Sequence, residues 1–238
     1  MKYYLLLLIF LSQTQVYAQK IHLDSIIHFY QRHGAQQIAG NFFLKGSASV
    51  NSREKIFEEI KISSEKYPTV LLSEIRTITI AGQVLDLMNR KFAGFNSGQD
   101  IYIATKSNPD IEKTFHQQFS ILLLNQHPGA FDTAVWKQLE NLSSFRVSGG
   151  HQSKFFPKNT EIIILQNGFL NADAARDWVT DFGYFAESLF AGGKDFWGKV
   201  NDYPRIREKS QLVIQFYHSL APIFTEAWFR FLAEYRLF

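Results

Sequence analysis

One segment of the chain restricts the fold more than any other. Asn108-Pro109-Asp110 suits a helix start, with asparagine able to cap and proline favoured in the first turn, and Pro128-Gly129 closes the segment after His127. Between them, Ile111, Phe115, Phe119 and Leu122 line one helical face, yet Ile121, Leu123 and Leu124 make the second half apolar nearly all round. A helix of that kind is buried inside a domain, because on a surface it would leave much of that area in water. The remaining elements must therefore cover it.

The polar residues of the same helix carry the chemistry. In an HExxH helix two histidines at i and i+4 share a face and bind zinc, and the glutamate between them is general base for the metal-bound water. With His116 as first ligand, Gln117 takes the place of the base and Ser120 that of the second ligand. Shifted by one residue, the three positions hold Gln117, Gln118 and Ile121. Neither register gives a metal site. A glutamine amide stays neutral and cannot take a proton from bound water, and isoleucine has no lone pair. Catalytic residues, a bound metal and any other cofactor are therefore not expected.

Residues 1–18 read as a secretory signal, with Lys2, the apolar run Leu5 to Leu11, and Val16 and Ala18 at the positions before a cut ahead of Gln19. The apolar run is short of the roughly 20 residues that span a bilayer, so no transmembrane anchor is expected. The chain has no cysteine, so neither disulfides nor a lipid-anchored N-terminal cysteine is available. An exported protein, periplasmic or extracellular, is the expectation. Its formal charge of +3, which falls by one with Lys2, comes without clustered Lys and Arg, so no nucleic-acid partner is implied. Residues 19–238 are enough for one large domain or two small ones. The 23 Phe, 10 Tyr and 4 Trp suit a large helical core, although exposed members would form a sugar- or peptide-binding platform.

Elsewhere, Ile21 to Arg32 reads as a short amphipathic helix with His22, His28 and His33 as surface decoration. Ser52 opens a helix to about Lys66, and Ile75 to Ile80 and Ile101 to Ala104 read as strands before the central helix. Asp132 to Glu140 is a further short helix, Gly149-Gly150-His151 lies in a turn, and Glu161 to Leu165 is strand-like. Asn171 then caps a helix with the stripe Trp178, Phe182, Phe185, Ala186 and Leu189, ended by Gly192-Gly193. Three more helices follow, at Phe196 to Val200, Ile206 to Leu220 and Thr225 to Leu237.

Phe115 to Leu123, Asn167-Gly168-Phe169-Leu170-Asn171, and Asp181 to Phe190 together resemble zinc-binding metallopeptidases exported by gut-type Gram-negative bacteria, some named substrate import-associated zinc metallohydrolase lipoproteins. The similarity runs from about Pro68 to the C-terminus. In that family a His-His-Glu-Phe helix supplies the second histidine and the glutamate, and an acidic residue on the later Asp-Phe helix is the expected third ligand. The resemblance keeps His116, Phe119, Asp181 and Glu187, and it places Gln117, Gln118 and Ile121 where first ligand, base and second ligand belong. It implies an α+β, zincin-like fold: one domain over 19–238, sheet-containing to about 165 and helical over 166–238.

Asp181 and Glu187, six residues apart, diverge by roughly 120° on a helix and cannot serve one metal together. A surface or capping role is the default for both, with Asp181 preferred as the residue facing the old site. Three functions remain in play. The first is a catalytically inactive metallopeptidase homologue that binds a peptide or partner protein. The second is an active zinc hydrolase with substitute ligands, His116 and Asp181 foremost and His127, His151 and Glu187 as other donors. The third is a carbohydrate-binding accessory with exposed aromatic rings.

Overall fold

A computed structural model describes residues 23–32, 34–106, 110–139 and 160–235. The signal at 1–18, His22, His33, Asn108-Pro109 and Gly149-Gly150-His151 lie outside them. The fold is mixed α+β, with small sheets N-terminal and helices C-terminal, and it divides into two compact units at Ile111/Glu112.

The first unit begins with α1 (Leu23–Ile26) and β1 (Ile27–Phe29), followed by the hairpin β2 (Ala35–Ala39) and β3 (Phe42–Lys45). After α2 (Arg53–Ser64) and α3 (Thr69–Leu72) come β4 (Thr77–Ala81), β5 (Gln83–Asp86), β6 (Lys91–Phe92), β7 (Gly94–Ser97) and β8 (Asp100–Ala104). One sheet has the order β1-β4-β8-β7, its first three strands parallel and β7 antiparallel. The other, β2-β3-β5-β6, is antiparallel throughout. Ile78, Ile80, Ile101 and Ile103 are fully buried, which explains why β4 and β8 were legible as β-branched runs. At the start of β8, Asp100 accepts from the Arg76 guanidinium and from Thr77 Oγ1 at 2.8 Å.

The sequence expectation of a helix over Ile21 to Arg32 fails after Ile26. From Ile27 the chain alternates buried, exposed and half-buried residues, and it pairs in parallel with Ile78 to Ile80. A ladder of backbone hydrogen bonds outweighs a weak local helical pattern.

The second unit holds α4 (Ile111–Gln126), α5 (Thr133–Gln138), α6 (Thr160–Gln166), α7 (Trp178–Ala191), α8 (Gly193–Asp202), α9 (Pro204–Leu220) and α10 (Glu226–Glu234). Helix α4 is buried nearly all round, as its sequence requires. Asp132 caps α5, accepting from Ala134 N and Val135 N, each at 3.0 Å. Asp177, rather than Asn171, caps α7, and Asn171 instead accepts from Ala174 N in the 3-10 turn Asp173–Arg176.

Glu161 to Leu165 is helix, not strand, and among the described residues the last strand ends at Ala104. Apolar runs of this length fit either period. The deciding residue is Gly168, at φ +84. Phe169 N donates to Ile164 O at 3.1 Å and Gly168 N to Leu165 O at 3.0 Å, a helix-ending pair that needs a left-handed residue there. Among the described residues, no helix is long and apolar enough to cross a membrane.

Candidate functional site

Helix α4 meets α7 at Gly183. A Cβ on Gly183 would lie 2.9 Å from Gln117 Cγ and 3.1 Å from Ile121 Cδ1, so the two positions that a metal would need touch backbone instead. The Gln118 amide turns to its neighbour, donating to Gln117 Oε1 at 3.1 Å. His116 is fully buried and stacks on Phe190, with centroids 4.8 Å apart and planes 13° apart, while Glu112 Oε1 lies 3.8 Å from its Nε2. Ser120 bonds the His116 carbonyl and the Tyr217 hydroxyl. Having one proton, Ser120 gives it to the carbonyl, and Tyr217 donates in turn to Ser120.

Asp181 lies elsewhere. Two residues from Gly183 is a rotation of about 200°, so Asp181 points away from α4, whereas Glu187 and Phe190 fall within about 40° of the Gly183 direction. Asp181 is 0% exposed, and its Oδ2 accepts from Lys209 Nζ of α9 at 2.5 Å. The ammonium is boxed by aromatic faces: 4.4 Å from the Phe169 centroid, 4.8 Å from Trp136 and 5.8 Å from Phe185. The surface default for Asp181 is therefore overturned, and so is its preference as the residue facing the motif helix. His116 and Asp181 occupy opposite sides of α7.

Glu187 is half-buried beside Tyr184. Burial, then the negative charges of Asp173 and Glu187, push the Tyr184 hydroxyl up to about 12. His127 is half-buried at the end of α4, and His151 lies outside the described residues. Among the described residues, no group of three or more His, Asp or Glu side chains is placed to hold a metal ion.

The pairing with Lys209 was missed, although the sequence carried a signal for it. In α9, Ile206, Lys209, Ser210, Val213 and Tyr217 fall on one helical stripe, and a lysine on an apolar stripe has to find a buried counter-charge. Lys209 is 0% exposed. Aromatic rings fill the surrounding core: Phe131, Trp136, Phe182 and Phe216 make edge contacts at 5.0 to 6.2 Å. Among the described residues the exposed aromatic rings are Phe231 and Tyr235, which touch each other with centroids 4.7 Å apart and planes tilted by 32°. Comparison of the chain with family models, with curated proteins and with solved structures found no match.

Proposed function

We propose that this chain is an exported, catalytically inactive relative of zincin-type metallopeptidases that works by binding a peptide or a partner protein. The observation that carries the reading is the conversion of the motif positions into packing. Gln117 and Ile121 close on Gly183, and the acidic residue kept from the resemblance, Asp181, has a lysine ammonium as its cation. A small sheet before the buried motif helix and helices after it support the zincin-like assignment. The aromatic residues support a core role over a sugar platform, since among the described residues only Phe231 and Tyr235 are exposed rings.

The test uses the chain from Gln19 onward, incubated with a mixed peptide pool in zinc-supplemented buffer. Retention of peptides with no new cleavage products is the expected result. Cleavage that a chelator abolishes would replace this reading with the active hydrolase.

A further inference from the structure

We infer that the cavity between α8, α9 and α10 is a carboxylate site and, resting on the peptide-binding reading above, that it takes the C-terminal carboxylate of the bound peptide. The cavity measures about 50 Å³ and is lined by Trp197, Arg207, Ile214, Glu226 and Arg230, among others. A cavity of about 10–15 Å³ by this measure already holds one water, so there is room for a carboxylate group.

One of its donors is buried without an acceptor, and its guanidinium groups keep further N–H groups beyond those already bonded. Trp197 is only 6% exposed, and its Nε1 has no hydrogen-bond partner among the described residues. An indole N–H buried this way costs stability unless something accepts from it. The Arg230 guanidinium lies 4.0 Å over the Trp197 ring and donates through Nε to Glu226 Oε1 at 2.7 Å, which leaves its two terminal amino groups for a second acceptor. Arg207 is fixed by carbonyls at the end of α8, Nε to Val200 O at 3.2 Å and Nη2 to Asn201 O at 2.5 Å, and pairs with no carboxylate among the described residues.

Two guanidinium groups against one glutamate leave the cavity one positive charge in excess. A singly charged, planar anion cancels that excess and fits a guanidinium fork with both oxygens. A phosphate is larger and carries more charge than the cavity balances. The stacking of Arg230 on Trp197 and the carbonyl grip on Arg207 hold the donors in place before a ligand arrives, so little ordering cost falls on binding.

The experiment titrates the chain from Gln19 onward with three probes by calorimetry: sodium acetate, N-acetyl-trialanine, and the C-terminal amide of the same peptide. The expected result is that the acid binds at least tenfold more tightly than the amide and that acetate competes with it. Trp197→Phe, which keeps a ring under Arg230 while removing the N–H together with part of the indole, and Arg230→Gln are each expected to weaken acid binding at least fivefold, with circular dichroism checking the fold. Equal binding of acid and amide, or acid binding unchanged in both variants, overturns the carboxylate site. If acetate binds and loses affinity in both variants while peptides do not bind, the site stands as a small-acid site and the peptide reading fails. If no probe binds, the cavity holds water only and the inference is wrong.

Discussion

Removing the cation from Asp181 should reveal how the second unit is held together. Lys209→Met fills a similar volume but leaves a carboxylate that is 0% exposed among rings, with its counter-charge gone. Breaking a buried pair from one side costs about 3–5 kcal/mol, because the remaining charge is desolvated without compensation. The reverse change, Asp181→Leu, leaves the ammonium between Phe169 and Trp136 at 4.4 and 4.8 Å, and desolvated cation–ring contacts return about 2 kcal/mol. Lys209→Met should therefore be the costlier single change. The double variant Asp181→Leu/Lys209→Met removes both charges and should lie within about 1 kcal/mol of the parent, since apolar replacements of buried pairs are often neutral or better. All four tryptophans, Trp136, Trp178, Trp197 and Trp228, belong to the second unit, so urea unfolding followed by tryptophan fluorescence reads that unit alone. If the two single costs simply add in the double variant, or if each is below about 0.5 kcal/mol, the pair is not the buried charge balance described above.

Gly183→Leu should destabilise the same unit by about 3 kcal/mol in the fluorescence assay, because the new side chain has to displace Gln117 and Ile121; a change within about 0.5 kcal/mol would mean that α4 and α7 do not meet there. In the first unit, the bond from Arg76 holds the Asp100 carboxyl below its ordinary value, outweighing its partial burial. A depressed folded pKa gives stability that is present above the unfolded value of about 3.9 and is lost as pH falls through the folded value. Carbon-13 titration should accordingly find Asp100 protonating at lower pH than a free aspartate, and Arg76→Met should move it upward. No movement would remove Arg76 as the cause.

The readable parts were those where local pattern and burial agree. Helix α4 declared itself by apolar residues on every side, and β4 and β8 by their isoleucines. The antiparallel sheet of β2, β3, β5 and β6 did not, because its strands mix glutamines and short aromatic runs around a glycine-asparagine turn, and the pairing of β3 with β5 is long-range. The isoleucines of α6 imitate a strand, and Asn167-Gly168 just beyond them was the available correction, a helix-stop signal. At the candidate site, the loss of ligands was plain from Gln117, Gln118 and Ile121. Which way Asp181 points was not, since that depends on where α4 crosses α7, and only the contact at Gly183 fixes the rotation.

Zinc titration of the apo-chain, followed by elemental analysis after desalting, tests the central claim most directly. With Gln117 and Ile121 packed on Gly183 and Asp181 joined to Lys209, the account predicts that no zinc is retained in stoichiometric amount. One tightly held zinc per chain, lost when His116 or Asp181 is substituted, would contradict it.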